Sequence, residues 1–228
     1  PYALPATASS GLAVTFTSAT TAVCTITTGG TVTILAPGNC TINADQAGDA
    51  NYAAAPQVSR TFTVNKASQS IAFAQPAATS YGVAPYALPA TASSGLAVTF
   101  TSATTGVCTI TTGGTVTILA AGNCTINADQ AGDANYAAAP RVTRTFTVNK
   151  ASQAITFAQP AATSYGVTPY ALPATASSGL AVTFTSATTG VCTITTGGTV
   201  TILAAGNCTI NADQAGNANY EAAPQVSR

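Results

Sequence analysis

Apolar residues recur at every second position through most of the chain, with threonine, serine or alanine between them. Segments 12–16 (LAVTF), 31–35 (TVTIL) and 58–64 (VSRTFTV) show this alternation. A period of two places successive apolar side chains on one face of an extended strand, whereas a helix would need a period of 3.6. The pattern therefore predicts that every regular element is a β-strand.

Turn-forming residues separate these apolar segments at short intervals. Gly29 and Gly30 lie between "CTITT" and "TVTIL" and can supply the positive φ angles of a tight hairpin spanning 23–35. "APGN" at 36–39 predicts another turn, and "NADQAGDANY" at 43–52 predicts a strand end followed by a longer loop. About seven short strands with such turns are typical of an immunoglobulin-like antiparallel β-sandwich.

The sequence repeats with a period of 84 residues. "PYALPATASSGLAVTFTSATT" begins at Pro1, Pro85 and Pro169. Residues 1–60 and 85–144 differ only at the pairs Ala22/Gly106, Pro37/Ala121, Gln57/Arg141 and Ser59/Thr143. Nearly identical modules in series favour a spacer, stalk or fibre over an enzyme, because each added module extends reach without adding chemistry.

The joins between copies contain no flexible linker. "RTFTVNKASQAITFAQ" at 144–159 has no glycine or proline between two alternating runs, so one strand should pass almost directly into the next. We place the boundaries at Lys66/Ala67 and Lys150/Ala151 and expect little bending there. The predicted domains are a first copy that lacks its first strand (1–66), a complete middle copy (67–150) and a last copy that lacks its last strand (151–228).

Two interpretations of the incomplete outer copies stay open. The chain could be one window of a longer array. Alternatively, open edges at the Pro1 and Arg228 ends could accept a strand from a neighbouring, identical chain. Self-association is therefore the expected partnership.

The charge content argues against several classes of partner. Charged residues make up 5% of the chain, and six acidic residues balance six basic ones. Neither nucleic acid nor an anionic membrane surface would be attracted electrostatically. No apolar run approaches the roughly 18 residues of a membrane span, so no membrane insertion is expected in this segment.

Each copy contains two cysteines, and the chain contains no histidine. Cys24 shares the inward parity of Ile26, and Cys40 shares that of Ile42. We predict a disulfide within each copy, which would contribute about 3 kcal/mol by closing a short loop. Two buried free thiols are the main alternative, while zinc would want four cysteine or histidine ligands. The six predicted disulfide cysteines are Cys24, Cys40, Cys108, Cys124, Cys192 and Cys208.

The acidic residues of the 43–52 loop and its counterparts are weak calcium candidates. A hard cation prefers several oxygen ligands, but each copy offers at most two carboxylates here, and Asn217 replaces the second one in the last copy. Capping of turns is the favoured alternative, and we expect neither metal nor cofactor. The candidates are Asp45, Asp49, Asp129, Asp133 and Asp213.

The tyrosines that end these loops have three possible places. Tyr52, Tyr136 and Tyr220 could pack against the loop or against the next copy, but packing in the core is the favoured interpretation.

The quoted motifs also resemble a known family. "GLAVTFTSATTAVCTI" and "GTVTILAPGNCTINADQAGDANY" look like the bacterial immunoglobulin-like repeats of large surface proteins, with cysteine at Cys24 and Cys40 where alanine is usual. Such repeats occur in invasin- and intimin-like stalks, giant adhesins, surface-layer proteins and fibrous appendages. The resemblance implies an extracellular bacterial array and no catalytic residues.

Together these observations predict a structural array that forms the stalk of a bacterial surface adhesin or the shaft of an extracellular fibre. An adhesive module that binds carbohydrate or a cell-surface receptor is the alternative. An enzyme is not expected, because no nucleophile, base or metal cluster can be assembled from the sequence.

Overall fold

A computed structural model describes residues 2–228, and all regular elements in that range are β-strands. The prediction of an all-β fold is confirmed. The chain divides into two compact units. The first unit comprises Pro1–Phe73, Ala90–Thr99 and Ala128–Val142, and the second comprises Ala74–Pro89, Phe100–Asn127 and Thr143–Arg228.

The strands follow the repeat of the sequence. The first copy contains β1 (Tyr2–Ala3), β2 (Thr15–Ser18), β3 (Cys24–Ile26), β4 (Thr31–Ile34), β5 (Gly38–Gln46) and β6 (Ala55–Val64). The middle copy contains β7 (Ile71–Phe73), β8 (Thr79–Ser80), β9 (Tyr86–Ala87), β10 (Ala90–Ala92), β11 (Thr99–Ser102), β12 (Cys108–Ile110), β13 (Thr115–Ile118), β14 (Gly122–Asp129) and β15 (Val142–Asn149). The last copy contains β16 (Ile155–Phe157), β17 (Tyr170–Ala171), β18 (Ala174–Ala176), β19 (Thr183–Ser186), β20 (Cys192–Ile194), β21 (Thr199–Ile202), β22 (Ile210–Asp213) and β23 (Val226–Ser227).

The last copy, which lies within the second unit, shows the topology of one module. Antiparallel pairing joins β16 to β18, β17 to β21 and β21 to β20, while β19, β22 and β23 form another sheet in the order β19-β22-β23. Because β17 and β18 follow each other as two halves of one strand, the order matches the two sheets of an immunoglobulin-like sandwich. Successive strands therefore correspond to the seven strands of that fold.

The core lies between the two sheets. In the last copy Phe157 meets Phe184 edge-on, with ring centroids 5.6 Å apart, and Val200 and Ile210 are buried beside them. The first copy has an equivalent cluster around Phe16. The inward residues are those that share one parity along each strand, as the alternation of the sequence predicts.

The hairpin between β3 and β4 depends on one glycine. Gly30 has φ +90°, and a Cβ atom there would come within 2.8 Å of the Leu4 carbonyl oxygen. Its amide nitrogen donates to the Thr27 carbonyl oxygen at 2.9 Å, which closes the turn. Positive φ was predicted for Gly29 as well, but only Gly30 adopts it.

Some apolar positions of the first copy are more exposed than the alternation of its sequence predicts. Ile34 and Val58, both placed on inward faces by the alternation, are exposed. The counterpart of Ile34 in the middle copy, Ile118, is buried. In that copy the segment 67–84 adds β7 and β8 to the sheets, and the first copy has no described counterpart of this segment.

No helix among residues 2–228 is long and apolar enough to cross a membrane.

Candidate functional site

Each copy contains one disulfide that joins its two sheets. In the first copy Cys24 lies in β3 and Cys40 in β5, with Cα atoms 5.8 Å apart. In antibody domains the disulfide joins the second and sixth strands of the sandwich. Here β3 and β5 correspond to the fourth and sixth of the seven strands of a module, so a different pair of strands is joined. The equivalent bridges are Cys108–Cys124 and Cys192–Cys208.

Hydroxyl groups surround the bridge in every copy. Cys24 and Cys40 are completely buried, and Ser18 Oγ donates to the Cys24 carbonyl oxygen at 2.8 Å. Thr20 Oγ1 accepts the Thr41 amide at 2.9 Å and lies 3.7 Å from the Cys24 sulfur. These contacts hold the strands on both sides of the disulfide. The disulfide therefore stabilises the fold.

The bridges also indicate where the protein is found. Disulfides persist in oxidising compartments and are rare in the cytosol. With all six cysteines paired, the protein is extracellular or at a cell surface.

Two of the calcium candidates, and the asparagine that replaces their counterpart in the last copy, cap turns. Asp49 Oδ1 accepts the backbone amides of Asn51 and Tyr52 at 2.8 and 2.9 Å. Asp133 makes the same two contacts in the middle copy, and Asn217 makes them in the last copy. A neutral amide that performs the same task shows that the turn uses oxygen as an acceptor and does not require its charge.

The other three candidates pair across strands on the outer face of their sheets. Asp45 accepts Gln57 Nε2 at 2.9 Å, and Asp213 accepts Gln225 Nε2 at 2.8 Å. Asp129 forms an exposed ion pair with Arg141 at 2.8 Å, which raises the pKa of the Arg141 guanidinium through the hydrogen bond. Within residues 2–228, no three histidine, cysteine or acidic side chains are grouped as metal ligands would be.

We predict that Asp133 makes the turn sensitive to acid and not to calcium. The amides of Tyr136 and Asn135, together with the nearby charge of Lys66, hold the pKa of Asp133 below its usual 3.8. A lowered folded-state pKa adds stability that is present above the unfolded pKa and is lost as the pH falls through the folded value. The melting temperature of the native chain should therefore fall more below pH 4 than that of Asp133→Asn.

Calorimetry at pH 7 and at stepwise lower pH would measure this difference. At pH 7 the native protein should melt slightly above Asp133→Asn, because the carboxylate adds stability that the neutral amide lacks, and the two should converge at low pH. Neither melting temperature should change on adding calcium or a chelator. A rise in melting temperature on adding calcium would show that the turn binds the ion.

Buried glutamines form a polar network that the pattern of the sequence did not lead us to predict. Gln69 Nε2 donates to Gln130 Oε1 at 2.5 Å and to the Ala137 carbonyl oxygen at 2.7 Å, while Ser94 Oγ donates to Gln69 Oε1. Gln153 makes the same kind of contacts in the last copy, with Gln214, Glu221 and Ser178. The network ties the residues before the first strand to the loop that follows the sixth strand.

A signal for these glutamines is present in the sequence. Gln69 has the same parity as Ile71 and Phe73, which are buried. A polar residue in step with an inward row indicates a buried hydrogen-bonding group.

The middle and last copies meet through side chains that belong to the second unit. Tyr81 packs edge-on against Tyr220, with ring centroids 5.4 Å apart. Asn219 Oδ1 accepts the Ala121 amide at 3.0 Å. The favoured prediction of core packing is therefore wrong for Tyr220, which contacts the preceding copy. In the first copy Pro37 occupies the position of Ala121 and has no amide hydrogen to donate.

The outer face of β5 and β6 carries a ladder of polar side chains. Thr41 and Thr61 share a hydrogen bond of 2.8 Å between their hydroxyls, and Ser59 Oγ donates to Asn43 Oδ1 at 2.6 Å. These side chains are exposed or half-buried. They leave further hydrogen-bonding capacity toward solvent, but they contribute no aromatic or cationic anchor.

Comparisons with known proteins show likeness only to solved structures, since no family model and no curated protein matches. Domains 4 and 5 of the S-layer protein SbsC are 20% identical over 63% of this chain and 78% of theirs, with a TM-score of 0.30. Drosophila N-cadherin EC1-4 is 11% identical over 99% of this chain and 68% of its own, with a TM-score of 0.30. A C-terminal 282-residue fragment of intimin, solved in complex with the intimin-binding domain of the translocated intimin receptor, is 21% identical over 62% of this chain and 52% of its own, with a TM-score of 0.25. These values are too low to carry an argument about function.

Proposed function

We propose that the chain is a structural segment of a bacterial surface adhesin or an extracellular fibre, built from tandem immunoglobulin-like modules of the invasin and intimin stalk type. The observation that carries the proposal is the hydrogen-bonded join between the middle and last copies. Asn149 and Ala151, on either side of Lys150, are each held by a different module. A segment that transmits force or sets a distance needs such joins, whereas a string of independent binding domains does not.

The contacts of the join support this in detail. The Tyr81 amide donates to the Asn149 carbonyl oxygen at 2.9 Å, within the middle copy. The Ala151 amide donates to the Asn219 carbonyl oxygen, and the Glu221 amide donates to the Ala151 carbonyl oxygen, both at 2.9 Å. Lys150 is the one residue between Asn149, which is bonded to the middle copy, and Ala151, which is bonded to the last copy. This supports a domain boundary at Lys150/Ala151 and, because the sequence repeats, another at Lys66/Ala67.

Low charge supports self-association as the partnership. With six acidic and six basic residues in 228, little electrostatic repulsion opposes the packing of one chain beside another. Strand complementation remains part of the proposal at the Arg228 end, while its counterpart at Pro1 lies outside the described residues.

The polar ladder on β5 and β6 supports an adhesive module as a second candidate. Exposed hydroxyl and amide groups could hydrogen-bond to a carbohydrate. The absence of aromatic side chains from this ladder makes it a weaker proposal than the structural one, because binding hot spots are usually aromatic or arginine-rich.

Electron microscopy of the purified chain separates the two roles. A structural segment should give ordered filaments or regular end-to-end assemblies, and inserting Gly-Ser-Gly-Ser between Lys150 and Ala151 should disorder them by freeing the join. The same insertion should leave binding to glycans or cells unchanged if the chain is an adhesive module. Dispersed monomers that bind glycans, with or without the insertion, would contradict the structural role.

A further inference from the structure

The two joins between successive copies differ in one hydrogen bond. We call Lys66/Ala67 the first join and Lys150/Ala151 the second. At the second join the Ala121 amide donates to Asn219 Oδ1 at 3.0 Å. Ala121 lies in the turn between β13 and β14 of the middle copy, and Asn219 lies in the loop between β22 and β23 of the last copy. This bond therefore crosses the join, and both residues belong to the second unit.

The equivalent bond cannot form at the first join. The position of Ala121 is occupied there by Pro37, whose ring nitrogen carries no hydrogen. Within residues 2–228 the side chain of Asn135, the counterpart of Asn219, takes part in no hydrogen bond. The acceptor is thus present at both joins, whereas the donor is present only at the second.

The turn that carries the donor position has the same backbone conformation in the first and middle copies. Gly38 and Gly122, which end this turn, both have φ +139°. The amides of Leu35 and Leu119, which begin it, each donate to a valine carbonyl oxygen at 2.8 Å. The proline therefore changes the hydrogen-bonding capacity of the turn and leaves its shape unchanged.

The loop that presents the asparagine is also held in the same way at both joins. The Ala67 amide donates to the Asn135 carbonyl oxygen at 2.8 Å, and the Ala151 amide donates to the Asn219 carbonyl oxygen at 2.9 Å. In each loop the amide of the asparagine donates to the side chain two residues earlier, at 2.8 Å. Because the backbone contacts are equivalent, the exchange of alanine for proline is the change that removes the bond.

A lysine side chain crosses the first join instead. Lys66 Nζ donates to the Asp133 carbonyl oxygen at 2.5 Å, and both residues are exposed. A lysine side chain is a flexible four-carbon stem, so this contact tethers the two copies without fixing their orientation. The Ala121 amide belongs to the backbone of a turn, so its bond restrains the turn itself.

We propose that Asn219 holds the second join and that Pro37 makes the first join a hinge, at which the two copies can tilt. The net contribution of one hydrogen bond corresponds to a factor of about five in the ratio of held to released joins. The expectation of little bending then applies at Lys150/Ala151 and not at Lys66/Ala67. This inference deepens the proposed structural role and rests on it, because it assigns the flexibility of the segment to one of its joins.

Dipolar electron paramagnetic resonance measures the freedom of each join. Nitroxide side chains introduced as unnatural amino acids leave the three disulfides intact. Thr31, Thr115 and Thr199 are equivalent exposed positions, one in each copy. Labels at positions 31 and 115 span the first join, and labels at positions 115 and 199 span the second. The width of each distance distribution reports how freely the join moves.

Removing the bond should free the second join. Ala121→Pro removes the donor and Asn219→Ala removes the acceptor, so each should broaden the 115–199 distribution. The double variant should be no broader than either single variant, because both substitutions remove the same bond. Conversely, Pro37→Ala should narrow the 31–115 distribution by restoring the donor. Each join is compared only with its own native form.

Asn135→Ala is the matched control. It should leave the native 31–115 distribution unchanged, because Asn135 has no donor to bind, but it should broaden that distribution again in the Pro37→Ala background. A 115–199 distribution unchanged by both Ala121→Pro and Asn219→Ala, or a 31–115 distribution unchanged by Pro37→Ala, would overturn the proposal. Broadening by Asn135→Ala without Pro37→Ala would overturn it too. These widths are measured on dilute single chains, whether or not filaments form, so the hinge and the structural role can fail separately.

Discussion

Replacing Phe146 by alanine is expected to lower the free energy of unfolding of the middle copy by about 4 kcal/mol. Phe146 is 3% exposed and lies in β15, between β14 and the parallel strand β8. Truncating so well-buried a ring removes its transfer free energy and leaves a cavity that packed sheets can only partly close. The middle copy should therefore unfold at a much lower denaturant concentration than in the native chain.

The matched control is Phe62→Ala in the first copy. Phe62 has the same sequence context but is half-buried, so its loss should cost clearly less. Hydrogen exchange during denaturant titration can follow the two copies separately, because Arg141 and Thr143 mark peptides from the middle copy. Equal losses of unfolding free energy at Phe62 and Phe146 would contradict this account. They would show that β7 and β8, which have no described counterpart in the first copy, do not help to bury the phenylalanine.

Replacing Cys108 and Cys124 together by alanine should cost about 3 kcal/mol in the chain-entropy model. The bridge closes a loop with a sequence separation of 16 residues, and both cysteines are completely buried. Without the bridge the unfolded chain regains the conformational freedom of that loop. The folded module also loses the covalent link between its two sheets.

Urea denaturation with and without a reductant would measure this loss. In the double variant the stability of the middle copy against urea should not change with the reductant, while the stability of the other two copies should fall. The same pair of substitutions at Cys24 and Cys40, which have the same separation of 16 residues, serves as a positive control. A loss below about 0.5 kcal/mol would mean that packing alone holds the sheets together.

The sequence was most informative where one local rule decides the structure. Period-two alternation predicted the strands and the inward parity of Cys24 and Cys40, and the glycine pair predicted the hairpin of β3 and β4. These features depend on backbone geometry and on neighbours close in sequence, which a single sequence displays directly.

Features that depend on distant neighbours were harder to predict. Phe62 and Phe146 occupy the same place in identical "TFTVNK" segments, yet only Phe146 is fully buried. Tyr220 follows a loop and could equally have filled the core, but its partner Tyr81 lies in the preceding copy. The glutamine network escaped prediction because the partners of Gln69 lie more than 20 residues away along the chain.

Stretching single molecules of the 228-residue protein by force shows directly whether the chain is a tandem array of modules that are each closed by one disulfide. We expect a separate unfolding step for each module. A reductant should lengthen each step by about 50 Å, the span of the 16-residue separation held by the bridge. A single unfolding event, or step lengths unchanged by the reductant, would be incompatible with such an array.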